Sequence, residues 1–89
     1  MRSLRRDTQF KKDVKRLLKR GQDLDQLTTI IENLAAAESL SARNKDHPLK
    51  GTLKDCRECH IEADWLLIYR IEGSVLCLVR TGSPADLFE

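Results

Sequence analysis

The sequence has no long apolar run: the longest, Trp65 to Tyr69 and Val75 to Val79, are five residues each, against the ~20 that a membrane helix needs. A transmembrane helix is excluded. The basic start, MRSLRRDTQF, is not followed by the apolar stretch of a secretory signal, which makes the cytoplasm the expected location. The chain is also short. Its 89 residues exclude a multi-domain architecture and predict one domain over 1–89, and a chain of this size buries only about 60% of its unfolded surface or a little more. Internal repeats and low-complexity segments are absent. Net charge is scarce too, because 16 Lys and Arg stand against 14 Asp and Glu for a sum of +2.

That sum hides a segregation. Residues 1–20 hold nine basic and two acidic side chains, +7; residues 21–40 hold four acidic and no basic ones, −4; residues 41–60 come to +2 and residues 61–89 to −3. A basic surface for a polyanion is therefore available despite near-neutrality, with a merely solvated helix face as the alternative.

Thr8 is placed to cap a helix in which Phe10, Val14, Leu17 and Leu18 form one apolar stripe at helical period, and Gly21 ends it. Lys11, Lys15 and Lys19 lie on its basic side with Lys12, Arg16 and Arg20. Asp23 and Gln26 resemble a capping box for a second helix, with Leu24, Leu27, Ile30, Ile31 and Leu34 buried, that runs to about Ala37. Pro48 and Gly51 mark a loop over Ser41 to Thr52. Strand signals follow at Leu53 to Ile61, Trp65 to Ile71 and Val75 to Thr81, the last two joined as a hairpin by Glu72, Gly73 and Ser74. With an edge strand at Arg2 to Arg6, the expected architecture is α+β: an N-terminal strand and an αα-hairpin on a small antiparallel sheet.

Two constellations carry chemistry. Cys56-Arg57-Glu58-Cys59-His60 matches the C-x-x-C-H haem pattern, and with His47 supplies ligand types for zinc. In an extended segment, however, Cys56 and Cys59 point to opposite faces because their spacing is odd. The only methionine is the first residue, which leaves His47 alone as a second axial ligand for haem. Structural thiols are the simpler reading, no metal or cofactor is assigned, and Cys77 falls in an apolar run as a core residue. The other constellation is His47, His60 and Asp64. Imidazoles with ordinary pKa values of ~6.5 exchange protons at neutral pH, and a tight connection before Trp65 brings Asp64 beside His60. Two surface histidines and a turn aspartate are the alternative.

The ordered blocks Lys45-Asp46-His47-Pro48-Leu49-Lys50-Gly51, Arg57-Glu58-Cys59-His60-Ile61, Asp64-Trp65-Leu66-Leu67-Ile68-Tyr69, Arg80-Thr81-Gly82 and Leu87-Phe88 resemble the YafQ branch of the RelE toxin superfamily over essentially the whole chain. The resemblance implies a RelE-like fold. It also implies a cytoplasmic, ribosome-dependent mRNA endoribonuclease of a toxin-antitoxin system, silenced by a cognate antitoxin. His47, His60 and Asp64 then take the acid/base positions, Arg80 the phosphate-contacting arginine and Phe88 the C-terminal aromatic near RNA, with the C-terminal core anchor as the other reading of Phe88. Metal-free cleavage needs a base for the 2′-OH, an acid for the leaving 5′-oxygen and a cation for the phosphate oxygens. Lys11, Lys15 and Lys19 would meet ribosomal RNA. One position departs: Pro84 stands where the family has a catalytic histidine, and a proline side chain carries no proton. The resemblance therefore implies an attenuated or inactive enzyme, with a silent RNA- or antitoxin-binding module as the alternative and a metal or haem domain as a third.

Overall fold

The computed structural model describes residues 1–88. Strand β1, Ser3–Arg6, leads into α1, Thr8–Lys19, and α2, Asp25–Ala35; a 3-10 turn at Ala42–Asn44 precedes the two-residue β2, His47–Pro48. A second 3-10 turn at Gly51–Leu53 leads to β3, Arg57–Glu62, then β4, Trp65–Glu72, β5, Val75–Gly82, and the short α3, Pro84–Phe88. The five strands form one sheet in the order β1-β5-β4-β3-β2.

The two predicted helices form for the expected reason, a stripe of apolar side chains that meets one face of the sheet. Phe10, Leu17, Leu27, Ile30 and Leu34 pack with Cys59, Leu67, Tyr69, Leu76 and Leu78 in the main core. Gly21, at φ 79°, ends α1 as predicted: the Gln22 N–H donates to the Leu17 carbonyl and the Gly21 N–H to that of Leu18, a Schellman closure. Ala37, at φ 60°, closes α2 in the same way. Helix α2 thus stops at Ala35, not Ala37.

Several local expectations are corrected. Thr8 lies inside the first turn of α1 with the extended Asp7 before it, and no side chain caps that end. Asp23 accepts from the Asp25 N–H (2.9 Å) in a turn before α2 instead of forming a capping box with Gln26. Leu18 is 56% exposed while Asp13 is fully buried, so the inward stripe runs through 10, 13 and 17. The sheet is mixed: β1 pairs with β5 in parallel, Ser3 opposite Val75 and Arg6 opposite Leu78, because α1 and α2 follow β1 and no tight hairpin turns the chain back. The strand expected from Leu53 begins only at Arg57.

A bulge in β5 decides which side chains share a face. Tyr69 pairs with Leu78 but Ile68 pairs with Arg80, leaving Val79 as the extra residue. Bulges re-aim the side chains beyond them. Without this one Arg80 would share the face of Leu76 and Leu78; with it, Arg80 falls in register with Ile68, and Thr81 turns into the core beside Leu67.

Candidate active site

Directly paired residues project from the same side of a sheet. His47 pairs with Glu58, Glu58 with Ile68, and Ile68 with Arg80, so these four make one row across β2, β3, β4 and β5. His60 stands in the next row, opposite Leu66, which is opposite Gly82. Leu66 and Ile68 are both buried and give the polar groups an apolar floor.

His47 is placed by the segment before it. Lys45 adopts the left-handed conformation (φ 49°), which turns the chain from the 3-10 turn into β2. Asp46 Oδ1 accepts from Tyr69 Oη (2.6 Å) and Arg57 Nε (3.1 Å), tying this segment to β3 and β4. Burial and the Asp46 carboxylate push the Tyr69 hydroxyl well above its ordinary pKa; it remains a donor at neutral pH. Asn44 Nδ2 donates to the His60 carbonyl (2.8 Å), a second tie to the same strand.

Around Glu58 the two imidazoles converge. His47 Nε2 lies 3.2 Å and His60 Nε2 3.9 Å from Glu58 Oε2. The His47 Nδ1 is 2.7 Å from the Lys45 carbonyl oxygen, which only accepts, so Nδ1 bears a hydrogen. Both nitrogens of His47 thus face oxygen atoms. Glu58 is 8% exposed. Sequence spacing had not singled it out, because its place between the histidines depends on the β2–β3 register.

Asp64 is not brought to His60. It lies exposed in the β3–β4 turn, after a register irregularity between His60 and Glu62, and makes no hydrogen bond or ion pair among the described residues.

Arg80 is held from the side of α1. Its Nε donates to Asp13 Oδ2 (2.7 Å) and its Nη2 to Asp13 Oδ1 (3.2 Å), with a longer contact to the Asp86 carbonyl (3.4 Å). Asp13 also accepts from Arg16 Nη2 (3.0 Å), Gln9 Nε2 (3.3 Å) and the Thr81 N–H (3.2 Å). An unpaired carboxylate at such a depth would cost several kcal/mol; this set of donors offsets it. The hydrogen bond to Asp13 raises the Arg80 pKa despite partial desolvation.

Phe88 ends α3 and is 53% exposed, outside the core cluster. Pro84 opens that helix, and the turn around it is a capping box: the Asp86 N–H donates to Ser83 Oγ and the Ser83 N–H to Asp86 Oδ2, both at 3.1 Å. Proline is well suited to the first helical position, where no intrahelical partner for an N–H exists. Lys11, Lys15 and Lys19 are exposed along α1, as expected.

The cysteines do not converge with His60. Cys59 faces the core, where burial, reinforced by Asp46 and Glu58, pushes its thiol up to about 12, and His60, the next residue, points to the other face. Among the described residues no group of three or more His, Cys, Asp or Glu side chains is disposed to hold a metal ion.

A family model described as the bacterial toxin of type II toxin-antitoxin systems, YafQ, matches residues 2–89. The mRNA interferase toxin YafQ of Escherichia coli (strain K12) is 43% identical over 84 residues, covering 90% of this chain and 88% of that protein. A metal-bound toxin from Helicobacter pylori superposes with a TM-score of 0.92 at 47% identity, covering 99% of this chain and 100% of that one. YafQ from the E. coli DinJ-YafQ toxin-antitoxin complex superposes with a TM-score of 0.90 at 39% identity, covering 99% and 98%. The main sequence-derived fold is thus reproduced, and the chain belongs to the YafQ family of bacterial toxins of type II toxin-antitoxin systems.

Proposed function

We propose that this chain is an mRNA interferase, a ribosome-dependent endoribonuclease of the cytoplasm, restrained by a cognate antitoxin and weakened by Pro84. The observation that carries the reading is the placement of His47 and His60 about one carboxylate, Glu58, which lies in the same cross-strand row as Arg80. The relative named an mRNA interferase and the relative crystallised with its antitoxin support the activity and the partner. No described helix is long and apolar enough to cross a membrane.

Cleavage then uses the chain's own groups. His47 and His60 serve proton transfer: a base takes the 2′-OH proton, the freed oxygen attacks the adjacent phosphorus, and an acid donates to the leaving 5′-oxygen. Arg80 offsets charge on the phosphate oxygens. Phe88 stacks on an exposed base, a contact worth ~1 to 3 kcal/mol in single-strand binders. Asp64 acts on the message from the β3–β4 turn without contacting an imidazole, and Lys11, Lys15 and Lys19 hold ribosomal RNA. Pro84 leaves one proton-transfer position empty, and a missing acid or base costs ~10² to 10⁴ in rate.

The test is mRNA cleavage on programmed ribosomes by the chain as it stands, by Pro84→His and by Pro84→His with His60→Ala. A large gain from Pro84→His, abolished by His60→Ala, is expected. Equal activity with Pro84 and with histidine would remove the attenuation; full activity without the His60 imidazole would remove its acid/base role.

A further inference from the structure

Three arginines meet two aspartates where α1, the end of β5 and α3 come together: Arg16, Arg20 and Arg80 with Asp13 and Asp86. Arg20 is spent on Asp86 through two bonds, 3.0 and 3.2 Å. The other two arginines share Asp13. Its Oδ1 accepts from Arg16 Nη2 at 3.0 Å and from Arg80 Nη2 at 3.2 Å, so two guanidinium groups are brought beside one carboxylate oxygen. Neither is completed by the protein. Arg80 keeps Nη1 free of any partner among the described residues, and Arg16 bonds through Nη2 alone, its Nε being buried with no acceptor. Two cations against one anion leave an unbalanced positive charge.

We propose that Arg16 and Arg80, set side by side by Asp13, form a two-arginine fork for one RNA phosphodiester, with Arg16 a second phosphate-binding residue and Asp13 the positioning residue. This rests on the reading of Arg80 as a contact to the message. Guanidinium groups suit the task because their planar donors match the two non-bridging oxygens of a phosphate. Arg16 is fit to reach it, since its side chain is 39% exposed while that of Asp13 is fully buried. Asp13 uses both oxygens on protein donors and so orients the pair without repelling the ligand from the surface.

The probe is a short fluorescein-labelled single-stranded RNA with 2′-O-methyl sugars, which lacks the nucleophile and is not cut, bound to the full chain at several salt concentrations. Arg16→Ala and Arg80→Ala should each weaken binding roughly tenfold and lower the salt slope in part, the two together by about 0.7, the value for one phosphate on a single strand. The double variant should lose less than the product of the two, as coupled residues do. Asp13→Asn is the sharpest arm. It removes a negative charge, so a merely electrostatic role predicts tighter binding and a merely structural one a lowered thermal midpoint, whereas positioning predicts weaker binding at a midpoint close to that of the parent. Should Asp13→Asn not fold, Arg16→Lys keeps the charge without the fork and should bind nearly as poorly as Arg16→Ala. Loss at Arg80 with none at Arg16 would overturn the fork and leave the reading of Arg80 standing. No loss at Arg80, or no saturable binding by the parent chain, would overturn both, while cleavage dependent on His60 is read separately.

Discussion

Glu58 and Asp13 are acidic side chains whose roles depend on what surrounds them. Glu58 lies 3.2 Å from one imidazole and 3.9 Å from the other, so Glu58→Gln should lower cleavage in the Pro84→His background by ~10 to 100-fold with little change in the thermal midpoint. Asp64→Asn, at an exposed turn without polar partners among the described residues, should cost less; a larger loss there would return the carboxylate role to Asp64. A second prediction concerns Cys59, whose thiol is pushed up to about 12 by burial. A raised pKa in the folded state stabilises it below the unfolded thiol value of ~8.5, and that stability is lost as pH rises toward the folded value. The thermal midpoint should therefore fall between about pH 9 and 12, and less steeply in Cys59→Ala, as circular dichroism would record. The histidines were visible as chemistry in the sequence. Their partner was not, because neighbours across strands are set by register. Asp13 left one faint trace, an acid three residues after Phe10 and four before Leu17, on the stripe that packs inward.

Among the elements, both long helices were legible from the period of their apolar residues, α1 also from its Gly21 stop, and the β4–β5 hairpin from two apolar runs around a Gly-containing turn. Three features were not. Parallel pairing of β1 with β5 has no local signature, the Val79 bulge interrupts an otherwise regular apolar run, and α3 is too short for a period to register. Helix α3 is nevertheless well fastened. Asp86 binds Arg20 and accepts from the Ser83 N–H in the capping box, contacts that hold its carboxyl far below the ordinary range. A depressed carboxyl stabilises the fold above the unfolded value and loses that contribution as pH falls. Asp86→Asn should therefore lower stability at neutral pH by ~1 kcal/mol, the usual worth of a cap, or about 4 to 8 °C in the midpoint. It should also flatten the decline of stability below about pH 4. A midpoint that does not move would show that Arg20 and Ser83 do not fasten α3. Gly82→Ala should act on the same joint, since an added Cβ would stand 3.0 Å from Asp86 Oδ2.

Across the molecule the positive charge of α1 is divided: its lysines are exposed, while Arg16 and Arg20, with Arg80 of β5, are bound to aspartates. Lys11→Glu, Lys15→Glu and Lys19→Glu together should weaken ribosome binding most at low salt, the differences shrinking as salt rises; sedimentation with ribosomes at two salt concentrations measures it. Unchanged binding would return that face to plain solvation. Parallel pairing of β1 with β5 has a further consequence, for the order in which the chain is made. Strand β1 is hydrogen-bonded to β5, Ser3 beside Val75, so the sheet cannot close until β5 has been made. Such distant pairings are slow to form. A newborn chain of this topology therefore passes through an interval with β1 unplaced and the β5 edge, where Leu76 and Leu78 will pair with it, still open.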